Sequence, residues 1–177
     1  QDAEAVARVA SIVAGERANS PVVVTSAMSK VTDALLSAFE LAKKGEVENA
    51  VLSLEPHFER HRQVSRELTN EAQQRLFRVE LDFAERELGD LLMRTSRRSL
   101  PLSMLKDAIV SYGEQLSSRL LTFVCQAADL NARHADARRL IVTDDEYGSA
   151  APVRDETEKL IRQHGIIFYS SLNHICT

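Results

Sequence analysis

Along most of the chain apolar residues recur every three or four positions, the spacing of helices with one buried face. Ala5, Val6, Val9, Ile12 and Val13 predict a helix over Asp2–Gly15, with Gly15 as its stop. Val31, Leu35, Leu36, Phe39 and Ala42 predict a second. Between Glu46 and Arg94 two stripes follow: Val47, Val51, Leu54, Phe58, Val64 and Leu68, then Ala72, Leu76, Val79, Phe83, Leu88 and Leu91. Asn70 and Gln73 separate them with capping-box spacing. The arrangement predicts an antiparallel helical hairpin, with Pro56 breaking or restarting its first arm; a coiled-coil dimer is the alternative. Leu105, Ala108 and Ile109, then Leu116, Leu120, Leu121 and Val124, predict two more helices. Gly113 between them costs a helix about 1 kcal/mol relative to alanine and so suggests a joint. A last helix is expected over Asp155–His164.

Three stretches break this period. Pro21-Val22-Val23-Val24 is β-branched without polar alternation, which predicts a strand buried on both faces in a parallel sheet. Short strands are also expected at Asn131–Asp136 and Ile141–Thr143, with a tight turn or a single helical turn at Ala137–Leu140 between them. Strands among helices give an α/β class, with Val22–Thr25 central, Ala132–Asp136 in the same sheet and the hairpin projecting from one end. The polar turn Thr25–Lys30 then joins a strand's carboxyl end to a helix N-terminus, where open α/β sheets bind ligands. Ser26, Ser29, Thr32 and the Lys30 ammonium favour a small anion there; the plainer role is a helix cap by Ser29 or Thr32.

Composition adds bounds. The 177 residues are 44% hydrophobic and 27% charged, enough for one domain with a core. A net charge of −4 gives no electrostatic reason to expect nucleic acid. No apolar run approaches a membrane span, no signal peptide opens the chain, and Cys125 and Cys176 lack metal or disulfide-framework spacing, so a cytoplasmic location is expected. His57 and His61 share a helical face but lack a third ligand at useful spacing, and consecutive acids Asp144-Asp145-Glu146 cannot all reach one ion from a strand, so no metal site is expected. Arg94, Arg97 and Arg98 read as a solvated loop rather than an anion site. Ser111 and Glu114 have capping-box spacing, which by itself accounts for Glu114.

Three stretches occur in an order that carries a resemblance: VVVTSAMSKVTDALL at 22–36, SYGEQLSSRLL at 111–121, and Asp136-Ala137-Arg138, Thr143-Asp144-Asp145 and Tyr147-Gly148-Ser149-Ala150 within 131–150. Together they resemble aspartate kinases of the amino acid kinase family. The hairpin is similar to that family's helical excursion in place and length, including Glu59-Arg60-His61. The resemblance implies a three-layer αβα sandwich with a mainly parallel sheet. It divides the chain into a partial amino acid kinase domain, 1–163, and a non-matching tail, 164–177, for which a frameshift or a truncated gene model is the simplest account.

The implied chemistry is transfer of the ATP γ-phosphate to the side-chain carboxylate of L-aspartate, the first step towards lysine, threonine and methionine, with ATP and magnesium as cofactors. By the same resemblance Ser26 and Thr32 line the substrate site and Glu114 binds the aspartate ammonium; Lys30 lends electrostatic support. The family's Lys-Phe-Gly-Gly-Thr-Ser and Gly-Arg-Gly-Gly-Ser-Asp segments, which handle nucleotide, have no counterpart, so most ATP-binding residues are missing and no catalytic residue is assigned. The full enzyme is expected to be a homo-oligomer, and this chain alone to be inactive. The alternatives are a non-catalytic helical interaction module built on the hairpin, or another amino acid kinase.

Overall fold

A computed structural model of the chain describes residues 3–144 and 146–164. The predicted helices form: α1 (Ala3–Gly15), α2 (Val31–Lys43), α3 (Val47–Leu68), α4 (Glu71–Arg97), α5 (Leu102–Val110), α6 (Tyr112–Ala127) and α7 (Arg154–Gln163). The αβα sandwich does not: among the described residues there is no strand and no sheet. Val22, Val23 and Val24 are 55%, 41% and 91% exposed, so the run expected to be buried on both faces lies open. A β-branched run reports a preference for extended backbone, but a strand exists only where a neighbour supplies the other half of its hydrogen bonds, and no described segment does so. At 131–136 side chains take the place of a ladder: Gln126 Nε2 donates to the Ala132 carbonyl at 2.9 Å, and His134 Nε2 lies 3.0 Å from the Ser118 hydroxyl.

The core is helical. α2 packs on α3 and α4, α3 on α4, and α6 on α1, α3 and α4, while α5 packs on α2 and α4. The hairpin is therefore the body of this unit rather than a projection from a sheet. Asn70 caps α4, its Oδ1 accepting from the N–H groups of Ala72 and Gln73 at 3.0 and 3.2 Å. The reciprocal half of the capping box is not made, since the buried Gln73 Oε1 has no hydrogen-bond partner. Pro56 neither breaks nor restarts α3, which runs through it. The carbonyl it deprives of a partner belongs to Leu52, which is exposed, so water can serve it.

In α4 the buried stripe is Phe77, Leu81, Ala84, Leu88 and Leu92, while the expected Leu76, Val79 and Phe83 face outward. Both stripes fit a helical period, and packing against α3 and α6 selects the one containing Ala84. Phe77 meets Phe123 of α6 edge-on at 5.9 Å between ring centres. Arg62–Glu85 links α3 to α4, and Arg119–Glu80 links α6 to α4. Arg94 and Arg97 belong to the last turn of α4 rather than to a loop, where cations suit the helix dipole, and Arg98 forms its left-handed C-cap at φ 50°. Cys125 is a buried free thiol whose pKa burial pushes up; Cys176 lies outside the described residues.

The chain divides into two compact units between His134 and Ala135. In the second, Ala137–Arg139 forms a 3₁₀ turn capped by Asp136, and Thr143 makes a single antiparallel bridge with Pro152. The Thr157 hydroxyl accepts from the Val142 N–H at 3.0 Å, tying α7 to that bridge. Asp144 Oδ1 accepts from the N–H groups of Glu146 and Ala151 and closes the intervening loop.

Candidate functional site

The segment leading into α2 is anchored by its apolar members. Ala27 and Met28 are buried, while Ser26, Ser29 and Lys30 are exposed and Thr32 is half-buried. Its backbone turns sharply at Lys30, which adopts left-handed φ 66° in the position just before α2. Val31 N–H then donates to the Met28 carbonyl at 3.0 Å. No side chain caps α2, so neither Ser29 nor Thr32 takes the capping role. Beyond Val31, the N–H groups of Thr32 and Asp33 and the positive end of the dipole thus meet no side-chain cap.

α6 approaches this segment at its own start. Ser111, where α5 ends and α6 begins, is the joint; Gly113 lies one residue inside α6. The glycine has a packing reason instead. A methyl group added there would come within 2.7 Å of the Ala27 Cβ and 3.6 Å of Leu35 and Val31. The Ala27 side chain thus packs closely on Gly113 at the start of α6; Ser26 precedes and Glu114 follows that contact by one residue, about 3.8 Å of chain.

The expected capping box at Ser111–Glu114 is absent. The Ser111 N–H donates to Asp107 O at 3.0 Å, and its hydroxyl donates to Ala108 O at 2.8 Å and accepts from Gln115 Nε2 at 3.0 Å. Ser111 already has helical backbone angles, φ −58° and ψ −18°, so the two helices run nearly into one another and leave no cap position. Glu114 is half-buried and has no hydrogen-bond or ion-pair partner among the described residues. The plain structural role for this carboxylate is removed.

One residue that sequence reasoning passed over enters here. Arg60 of α3 donates from Nη2 to the Ser29 carbonyl at 2.6 Å, across 31 residues of chain. A signal existed. Positions three and four away from Arg60 on α3 are Pro56, His57, Gln63 and Val64, so no acid stands one turn from it on either side. Beside it His61 is fully buried; its Nδ1 donates to the His57 carbonyl at 2.7 Å, and burial lowers its pKa to about 4. Among the described residues no group of three or more His, Cys, Asp or Glu could hold a metal ion, and no helix is long and apolar enough to cross a membrane.

The amino acid kinase family model matches residues 1–166. The chain belongs to the amino acid kinase family. No curated protein matches it. Among solved structures, Escherichia coli aspartokinase III in complex with aspartate and ADP (R-state) overlaps 93% of this amino acid kinase chain with a TM-score of 0.78 at 23% identity. The same enzyme in complex with lysine and aspartate (T-state) gives a TM-score of 0.76 at 24% identity and again covers 93%. At those identities the likeness speaks for the fold. This amino acid kinase chain spans 35% of the length of either neighbour.

Proposed function

We propose that this chain carries the aspartate-binding part of an aspartate kinase, an enzyme that transfers the γ-phosphate of ATP to the side-chain carboxylate of L-aspartate to give 4-phospho-L-aspartate. The observation that carries the reading is the close approach of Gly113 to Ala27, which seats Glu114 and Ser26 beside one contact. Aspartate offers one ammonium and two carboxylates. A half-buried carboxylate without a protein partner, Glu114, suits the ammonium through charge-assisted hydrogen bonds. The hydroxyls of Ser26 and Thr32 and the uncapped N-terminus of α2 suit a carboxylate. Lys30, exposed beside them, adds positive charge at longer range. The bound aspartate and ADP of the E. coli neighbour support the substrate class.

Magnesium is commonly held by one or two carboxylates together with the nucleotide's phosphates, and neither it nor ATP is assigned to side chains of this chain. Phosphoryl transfer depends on holding two negative groups in line and offsetting their charge. What these residues do is bind and orient the acceptor. The chain alone is therefore expected to release ADP from ATP and aspartate at background rate.

Calorimetric titration with L-aspartate tests the reading, using the full chain and its Glu114→Ala and Glu114→Gln variants. Saturable binding that both substitutions abolish is expected, and N-acetyl-aspartate, which lacks the ammonium, should not compete. Equal affinity for aspartate and its N-acetyl form would point to another amino acid kinase. The non-catalytic module has the outward stripe Leu76, Val79 and Phe83 in its favour; it predicts no aspartate binding and indifference to Glu114→Ala.

A further inference from the structure

We propose that Arg60 is a positioning residue that sets the orientation of the Ser29–Lys30 peptide in the turn, an inference that rests on the aspartate-site reading for its functional consequence. Its guanidinium donates from Nη2 to the Ser29 carbonyl at 2.6 Å. This is a charge-assisted bond between elements far apart in sequence, from the middle of α3 to the last residues before α2. The other arginines of the same arm are committed elsewhere. Arg62 pairs with Glu55, Glu59 and Glu85, and Arg66 with Glu59. Arg60 has no carboxylate within ion-pair distance among the described residues, and its buried Nε has no partner. The one acceptor it holds is the turn.

The peptide concerned is under constraint. Lys30 has φ 66°, a region that residues with a Cβ adopt at a steric cost and that glycine or asparagine would enter more easily. Something must hold it there. A trans peptide is planar, and its C=O and N–H point in opposite directions. By drawing the Ser29 oxygen towards α3, Arg60 turns the Lys30 N–H away from α3. A peptide flip at this position would put a carbonyl oxygen where the N–H now points, replacing a donor by an acceptor at the start of an uncapped helix. For an anionic ligand that exchange is repulsive. Arg60 so acts on the ligand through the backbone and without touching it. Arginine also suits the task better than lysine, because its planar fork keeps a fixed direction while an ammonium on a flexible stem does not.

The test compares the full-length wild-type chain with Arg60→Ala and Arg60→Lys by amide hydrogen exchange and by aspartate titration. Arg60→Ala is expected to speed exchange across Ser26–Asp33 by about tenfold, the loss of one hydrogen bond to a charged group, with the α4 and α6 amides unchanged. Arg60→Lys should recover part of the protection. Millimolar guanidinium should restore protection in Arg60→Ala, a rescue that general destabilisation would not give. Aspartate affinity should fall about tenfold in parallel, whereas Glu114→Ala should abolish it without altering exchange in the turn. Unchanged exchange across Ser26–Asp33 in Arg60→Ala overturns the proposal, as does faster exchange with aspartate affinity intact. If the wild-type chain binds no aspartate, the substrate reading fails, and the exchange comparison with guanidinium rescue still decides whether Arg60 holds the turn. Should Arg60→Ala not fold, Arg60→Lys and Arg60→Gln carry the same comparison.

Discussion

Acidification should weaken this fold through His61 before the carboxylates titrate. His61 is fully buried, and its Nδ1 must carry the proton because it faces the His57 carbonyl at 2.7 Å, a group that only accepts. Nε2 is then the bare nitrogen, buried with no partner. Protonation would place a second N–H and a charge where nothing accepts them, with Arg60 and His57 adding repulsion, and the pKa is accordingly lowered from 6.5 to about 4. The unfolded chain takes up this proton near pH 6.5 and the folded one does not until about pH 4. Stability is therefore fully present above pH 6.5, falls as the pH drops towards 4, and stops falling on this account below it. The shift corresponds to about 3 kcal/mol across that window, a large share of a typical domain's 5–15 kcal/mol. His57, also lowered by burial, adds in the same direction; Glu85, raised by burial, opposes it. Urea unfolding from pH 7.5 to 4, with wild type and His61→Leu side by side, measures the effect. The substitution keeps the helical backbone bond and removes the titration, so its stability should vary far less over the window. Parallel pH curves for the two proteins, or a His61 ring titrating near 6.5 by NMR, would refute the reasoning.

Three further substitutions probe the frame. Gly113→Ala should destabilise by about 1–3 kcal/mol in urea unfolding, because the added methyl meets Ala27 at 2.7 Å; on helix propensity alone the same change would stabilise by about 1 kcal/mol, so the sign decides. Asn70→Ala should cost about 1 kcal/mol through loss of the two cap bonds to Ala72 and Gln73. Leu81→Ala, at a fully buried position of α4, should cost about 2–5 kcal/mol by leaving a cavity, read from the shift in urea midpoint.

Helices were legible in the sequence because a helix closes its own backbone hydrogen bonds, so periodicity and caps are local information. Asn70 illustrates this, capping α4 from its place in the pattern. Strands were not, since Val22–Val24 carries the preference of a strand but cannot state whether a neighbour pairs with it. The choice of face in α4 was equally hidden: Leu76-Val79-Phe83 and Phe77-Leu81-Ala84 are both helical stripes, and only the packing partners distinguish them. Within the candidate site, Ser26, Thr32 and Glu114 came from resemblance to a family. Spacing alone favoured a capping box for Glu114 that Ser111, with its helical backbone angles, does not form. Gly113 was noticed as a helix fault and proves to be a contact. Arg60 was readable in principle, as a helical arginine lacking an acid at helical spacing, but its acceptor is a backbone carbonyl that sequence cannot display.

The order in which the core helices pack has a consequence for how the chain reaches its fold. α2, α3 and α4 follow one another with short links, Lys44–Glu46 and Thr69–Asn70, and each packs on the next. Closing such short loops costs little entropy, so these three helices can associate early and quickly. The contact between Ala27 and Gly113 spans a far longer loop and depends on α6 arriving to complete it. The turn before α2 would then be the last piece to take shape, assembled on a helical frame that is already standing. Mutations in the hairpin would be expected to slow folding, while those at the turn would chiefly speed unfolding.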